Sequence, residues 1–123
     1  MLNKNVQTFI ACDAEYDDAT IVLFGAGFDG TTSFRPGTRF APSAIRNDSF
    51  GIETYSPYQD KDMLDFSYFD SGDLELPFGS TNRVIADIAS RSAQILRDGK
   101  LPFMIGGEHL VTLGSVMAVA DTY

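Results

Sequence analysis

The fold is decided by a short apolar run, Ala19-Thr20-Ile21-Val22-Leu23-Phe24, which Gly25 ends. Such a run, with β-branched Ile21 and Val22 at its centre, predicts a strand buried on both faces, as is usual in parallel sheets. Four glycines and two prolines follow between residues 25 and 42. No helix can continue through this composition, so we expect a long structured loop after the strand.

The rest of the chain alternates predicted helices and strands. The predicted elements are a short helix at residues 42–46, a strand at 66–69, a helix at 81–98, a strand at 101–105 and a helix from 108 to about 120. Helix 81–98 has one apolar face, with Ser80 or Thr81 to cap its start and Gly99 to end it. The alternation predicts an α/β fold with a parallel sheet and helices on both of its faces. Residues 1–18 are predicted to form an arm or edge segment.

The chain of 123 residues is both acidic and apolar. Apolar residues make up 44%, including ten Phe and five Tyr, which is enough for one core or part of a larger one. Nine basic and seventeen acidic residues give a net charge of −8, which disfavours a nucleic-acid partner. The charge would raise the local concentration of a cationic small molecule, or it serves only to keep the protein soluble.

The chain has a single cysteine, Cys12, and a single histidine, His109. These counts exclude an intrachain disulfide and a zinc site made of cysteine and histidine. The first residues lack the apolar region of a signal peptide, and no apolar stretch approaches the ~18 residues that a membrane span needs. We therefore expect a cytoplasmic protein without a membrane partner.

Residues 25–30 match the Gly-x-Gly-x-x-Gly spacing of dinucleotide-binding loops. In those loops the third glycine opens a helix whose N-terminal amides hold the pyrophosphate. Here Gly30 leads into a stretch that contains Pro36 and Gly37 and cannot form that helix. We therefore interpret the match as a loop that leaves the first strand.

Charged residues offer two further candidate sites. Arg35, Arg39 and Arg46 lie in a stretch without acids and could hold an anion, but ion pairs with the acidic segment 48–75 or with a neighbouring subunit are favoured. Asp70 and Asp73 have a spacing that allows a metal or an acid–base pair. A turn in which they bind backbone amides is the favoured interpretation.

The stretch Ile105-Gly106-Gly107-Glu108-His109 places the histidine just past the carboxyl end of a buried strand. Ligands bind at that edge of open α/β sheets, and paired glycines allow a tight turn with close ligand approach. Neutral imidazole is a good ligand for a transition metal. A histidine at such a turn is more often a hydrogen-bonding or capping residue, so the spacing alone leaves both roles open.

Three segments together resemble the ureohydrolase family of arginases and agmatinases, and most closely the bacterial agmatinases. The segments are residues 24–29 continuing into 32–46, residues 70–74, and residues 104–112. The resemblance covers nearly the whole chain. It implies that residues 1–123 are the N-terminal portion of a single ureohydrolase-like domain, a three-layer α/β/α sandwich around a parallel sheet.

The resemblance also implies an activity and a metal. Family members hydrolyse a cationic guanidino compound to urea and an amine at a centre of two manganese ions, usually as trimers or hexamers of like subunits. Agmatine, which gives putrescine in polyamine biosynthesis, is the expected substrate, with arginine, guanidinobutyrate and formiminoglutamate as alternatives. The metal-binding histidine of the family corresponds to His109. Glu108 is not carried over as a ligand, and no catalytic residue is assigned within the chain.

Two departures from the family pattern change these expectations. The remaining metal ligands of the family lie in Asp-Ala-His-x-Asp and Asp-x-Asp segments that this sequence lacks. We therefore expect the 123 residues alone to be inactive and, with an open apolar sheet edge, poorly stable. A non-catalytic assembly module is the alternative. Gly27 stands where the family usually has proline, and we expect a looser and less stable turn there.

Overall fold

The computed structural model describes all residues from 1 to 123 and confirms the α/β alternation. The strands are β1 (Ile21–Ala26), β2 (Tyr55–Ser56), β3 (Lys61–Asp62), β4 (Tyr68–Asp73) and β5 (Leu101–Gly106), and the helices are α1 (Ala41–Ser49), α2 (Thr81–Arg97) and α3 (Val111–Ala120). Strands β4, β1 and β5 form a parallel sheet in that order, and β2 and β3 form a separate antiparallel hairpin. None of the helices is both long enough and apolar enough to cross a membrane.

Helices α2 and α3 cover one face of the sheet. Val22 and Phe24 of β1 pack with Ile88 of α2 in the main apolar cluster, and each of these side chains is 0% exposed. The two helices approach closely at Gly114, where an added Cβ would lie 2.7 Å from the carbonyl oxygen of Ile85. This contact explains why a glycine occupies the middle of α3, where it is otherwise unfavourable.

Helix α1 and the N-terminal arm lie over the opposite face. The backbone amides of Asn5 and Ala14 donate to the carbonyl oxygens of Asp70 and Tyr68 at 2.9 and 3.2 Å, so the predicted arm runs along β4. Between arm, α1 and sheet lies an apolar hollow of about 640 Å³. Since β5 is an edge strand, Leu101 and Phe103 on this face remain 54% and 56% exposed. The layers therefore form the predicted α/β/α sandwich, with the predicted open apolar edge.

Two local predictions were wrong. The second strand lies at Tyr68–Asp73 rather than 66–69, so Asp70 and Asp73 belong to β4 and not to a turn. Aspartate and glycine are poor strand formers, but pairing with β1 overrides that preference, with a register shift between Leu23 and Gly25. Helix α3 begins at Val111 rather than at residue 108, because the preceding residues form a separate turn.

The loop after β1 contains no helix until a short 3₁₀ turn at Thr38–Phe40, which confirms the predicted loop: Gly30 does not open the helix that a dinucleotide site requires. At Gly27 an added Cβ would lie 2.5 Å from the carbonyl oxygen of Arg39. The glycine thus lets the two ends of the loop meet. The loss of stability expected from this residue stays a prediction.

Candidate functional site

A cleft of about 750 Å³ opens at the carboxyl edge of the sheet, where the sequence predicts ligand binding. One wall is the loop after β1, and the other is the turn between β5 and α3. The lining residues are Thr31, Thr32, Ser33, Phe34, Arg35 and Thr38 from the loop, and Gly107, Glu108, His109, Leu110 and Leu113 from the turn and α3. The cleft therefore joins two of the segments singled out in the sequence, which lie about 70 residues apart.

The turn after β5 is fixed against the end of β1 by Gly107. An added Cβ at Gly107 would lie 2.6 Å from the carbonyl oxygen of Ala26 and would also meet that of Phe28. The next residue, Glu108, donates its backbone N–H to the carbonyl of Phe28 at 2.9 Å. Only glycine permits this approach, which places His109 beside the loop.

The Glu108 side chain holds the loop beside the histidine. Its carboxylate accepts a hydrogen bond from the backbone N–H of Thr31 at 3.2 Å and another from the Thr31 hydroxyl. Sequence reasoning left Glu108 without a role, because its partner is 77 residues away. The Glu108 side chain thus links the two walls of the cleft by hydrogen bonds.

Asp29 fastens the other end of the same loop. Its carboxylate accepts hydrogen bonds from the backbone N–H of Gly37 at 2.7 Å and from the guanidinium of Arg39 at 3.0 Å. Burial alone would raise the pKa of Asp29, but these donors and the positive charge of Arg39 lower it below its usual value. The loop is therefore tied at both ends by carboxylates.

The His109 side chain is exposed at the rim of the cleft. It takes part in no side-chain hydrogen bond or ion pair, and the residue that precedes α3, Leu110, makes no side-chain cap. The hydrogen-bonding and capping roles that the sequence left open are therefore not used in this structure. Both ring nitrogens remain free for a ligand.

The residues of the chain do not by themselves fit a centre of two metal ions. No group of three or more His, Cys, Asp or Glu side chains is arranged to hold a metal. His109 provides one imidazole, while the Glu108 carboxylate is bound to Thr31. The assignment of His109 as a single metal ligand stays a prediction.

Arg46, Asp70 and Asp73 form a separate network in which Arg46 and Asp70 are buried and Asp73 is exposed. Arg46 donates from Nε to Asp70 at 2.7 Å, from Nη2 to the second oxygen of Asp70 at 3.0 Å, and from Nη1 to Asp73 at 2.5 Å. Its side chain is 2% exposed and that of Asp70 is 0% exposed. Burial opposes the charged form, but the carboxylates raise the pKa of Arg46 above its usual value.

This network decides between the alternatives for the charged residues. Arg46 pairs with Asp70 and Asp73 of the acidic segment, as favoured from the sequence, whereas Arg39 pairs with Asp29, which lies outside that segment. The three arginines therefore do not form one anion site. Asp70 and Asp73 bind the guanidinium of Arg46, and Asp70 also accepts a hydrogen bond from the backbone N–H of Gly72 at 3.0 Å, as the backbone-amide interpretation predicts for Asp70. Arg35 has no carboxylate partner and lines the cleft.

Comparison with known proteins agrees with this architecture. The family model described as the arginase family matches residues 19–123. The agmatinase of Bacillus subtilis (strain 168) is 44% identical over 117 residues, which are 95% of this chain and 40% of the relative. The crystal structure of a putative agmatinase from Clostridium difficile is 51% identical with a TM-score of 0.83, and the match covers 89% of this chain and 40% of that one.

A more distant match shows the fold alone. The structure of Trypanosoma cruzi formiminoglutamase with Mn²⁺ is 21% identical with a TM-score of 0.77, covering 92% of this chain and 40% of that one. The chain thus spans about 40% of the length of the relatives it matches. Since the family model covers all but the first 18 residues, the chain belongs to the arginase family.

Proposed function

We propose that this chain is part of a ureohydrolase whose complete form converts agmatine and water to putrescine and urea. One observation carries the proposal: the two longest family-like segments, far apart in sequence, form the two walls of one cleft with His109 at its rim. The identity with a curated agmatinase over nearly the whole chain supports agmatine as the substrate. Arginine, guanidinobutyrate and formiminoglutamate are the alternative substrates.

The charge of the chain suits a cationic substrate. A net charge of −8 raises the local concentration of a guanidinium compound around the protein. In the overall reaction water adds at the guanidinium carbon, the bond between this carbon and the nitrogen that carries the alkyl chain breaks, and that nitrogen leaves with a proton as the amine. We assign none of these steps to a residue of this chain.

The proposal extends to the metal and the assembly. The complete protein depends on manganese, for which His109 provides one of several ligands, and it works in the cytoplasm as a trimer or hexamer of like subunits. The imidazole of His109 makes no hydrogen bond within the chain, and this supports its role as a manganese ligand. The acidic charge supports the absence of a nucleic-acid partner.

The test is urea release by the polypeptide as its source cell produces it. The purified protein, with and without Mn²⁺, is incubated with agmatine and, in parallel, with each alternative substrate. Putrescine and urea in equal amounts, only when Mn²⁺ is present, are expected from agmatine. If none of the compounds is consumed under any condition, the proposal fails.

His109→Ala tests the assigned ligand, with Val116→Ala, an exposed α3 position outside the cleft, as the matched control. Loss of a direct metal ligand should exceed the 10–100-fold losses typical of residues behind the ligands. We expect urea release to fall more than about 100-fold and Mn²⁺ affinity, measured by calorimetry, to fall with it. Equal Mn²⁺ binding by both variants would contradict the assignment.

A non-catalytic assembly module is the second candidate. It is favoured by the lack of any further group of metal-binding side chains near His109. An intact mass of 13.4 kDa for the native polypeptide, together with co-purification of a larger ureohydrolase subunit, would support it. Manganese-dependent turnover by the purified polypeptide alone would exclude it.

A further inference from the structure

Residues 50–66, the hairpin segment, carry a large exposed apolar surface. Six large apolar side chains are exposed within these residues: Phe50, Ile52, Tyr55, Tyr58, Leu64 and Phe66. Tyr58 is 99% exposed and lies in the loop between β2 and β3. With about 150–250 Å² for a whole aromatic side chain, the segment exposes on the order of 700 Å² of apolar side chain, close to the about 800 Å² that each partner gives to a standard interface.

The hairpin segment is also acidic. It contains four acids, Glu53, Asp60, Asp62 and Asp65, against one base, Lys61. Three of the acids bind within the hairpin: Asp60 accepts from the Tyr55 hydroxyl, and Asp62 and Asp65 cap the short helix at Met63–Asp65. Glu53 forms no ion pair or hydrogen bond within the chain. The segment therefore presents apolar rings together with unbalanced negative charge.

Residues 34–40, the arginine loop, have the complementary character. Phe34 is 83% exposed and Phe40 is also exposed, and no acid lies within the loop. The guanidinium groups of Arg35 and Arg39 stack on these rings at 5.2 and 4.5 Å. Of the two cations Arg35 has no carboxylate partner in the chain, so its charge is available to another molecule.

The two surfaces lie at opposite ends of α1. Phe40 immediately precedes this nine-residue helix and Phe50 immediately follows it, so about 13 Å of helix separates them. No hydrogen bond or ion pair joins the hairpin segment to the arginine loop. Because the rigid helix holds them apart, the surfaces can meet only between two molecules.

We propose that the hairpin segment of one copy docks on the arginine loop of the next copy. The two surfaces differ, so the contact is heterologous, and repeating it gives a ring where the rotation closes. Arg35 and Phe34 also line the cleft, and a docked hairpin segment therefore borders the cleft of its neighbour. This rests on the assembly of like subunits proposed above, and its test requires no turnover.

Disulfide trapping tests the contact in the polypeptide as its source cell produces it, carrying Cys12→Ser. Chains with Tyr58→Cys are mixed with differently tagged chains with Phe34→Cys under mild oxidation. We expect the mixed cross-link to form at least tenfold faster than a cross-link between Tyr58→Cys and Val6→Cys, a fully exposed control. Equal rates, or a predominant link of Tyr58→Cys to itself or to another protein, would overturn the proposal.

Charge reversal gives an independent test by sedimentation. Arg35→Glu and Glu53→Arg each reverse a charge that has no partner within one copy, so circular dichroism should show an unchanged fold. Each is expected to weaken association at least tenfold, and the double variant to restore it. Arg83→Glu, on α2, is the control.

The contact would be contradicted if the unaltered protein is monomeric, or if the double variant associates more weakly than both single variants. If the protein assembles as proposed but hydrolyses none of the substrates, only the proposed function is refuted.

Discussion

The two faces of the sheet are closed in different ways. On the α2 and α3 face, apolar side chains such as Phe24 and Ile88 interlock and are fully buried. On the α1 face, the buried ion network of Arg46 lies beside an apolar hollow in which Phe103 is more than half exposed. One face is therefore held by continuous apolar packing, and the other by a few specific polar contacts around an open space.

The difference follows from the path of the chain. Both faces share the central strand β1, and on the first face the covering helices α2 and α3 directly follow β4 and β5 in the chain. On the second face the N-terminal arm is held on β4 by polar contacts, as when the Phe9 amide donates to the Asp70 carboxylate 61 residues along the chain. Apolar packing against α2 and α3 stabilises the first face, while polar contacts between distant residues determine where α1 and the loop of the cleft lie.

The largest loss in the free energy of unfolding is expected from a substitution in the ion network on the α1 face. Arg46→Met removes the guanidinium and leaves the Asp70 carboxylate, which is 0% exposed, without a partner. Loss of one member of a buried pair costs about 3–5 kcal/mol. Urea denaturation measures the loss. Arg83→Met, in an exposed ion pair with Asp87, is the control and should cost less than about 1 kcal/mol. Similar costs for the two variants would mean that the network does not hold α1 in place.

A pair of truncations compares the apolar packing of the two faces. Ile88→Ala opens a cavity in a fully buried site, and we expect a loss of about 2–5 kcal/mol in the free energy of unfolding. Phe103→Ala removes a ring that is 56% exposed, and we expect less than half of that loss. An equal loss at both positions would show that Phe103 is covered in the protein as produced.

The last prediction concerns the reactivity of Cys12, which lies against the hollow on the α1 face and is 1% exposed. Burial foremost, and then the negative charges of Asp70 and Asp13, raise the pKa of the Cys12 thiol to about 12. At pH 8 this lowers the thiolate fraction roughly a thousandfold below that of a free thiol. Alkylation should therefore be at least 100-fold slower than at Tyr58→Cys in a Cys12→Ser background.

The same pKa has a consequence for stability. The pKa of Cys12 in the folded protein lies above the value of 9.0 of a free thiol, so its contribution to stability is unchanged below about pH 9 and is lost as the pH rises toward 12. Cys12→Ser should remove this alkaline dependence from the urea-denaturation midpoint. If Cys12 is alkylated as fast as the exposed thiol of Tyr58→Cys, the N-terminal arm must open frequently from the sheet.

The strands and helices were predictable where periodicity and end signals agree. Helix α2 was predicted at residues 81–98 and lies at Thr81–Arg97, because its apolar face, the Ser80 cap and Gly99 all point to the same limits. Strand β4 was misplaced because its Asp and Gly residues disfavour a strand locally. The hairpin of β2 and β3 was missed, since strands of two residues leave no periodic pattern.

The order and spacing of the residues are enough to predict the parallel α/β fold, the family resemblance, the carboxyl edge of the sheet at which the cleft opens, and His109 as the one imidazole there. These features follow from the local conformational preferences and the apolar pattern of residues that are close together in sequence. The folded structure was needed to show that Glu108 holds Thr31, that Arg46 joins Asp70 and Asp73, and that Arg35 has no carboxylate partner. Such pairings depend on which charged groups folding brings within hydrogen-bonding distance, and residues separated by tens of positions carry no local signal of one another.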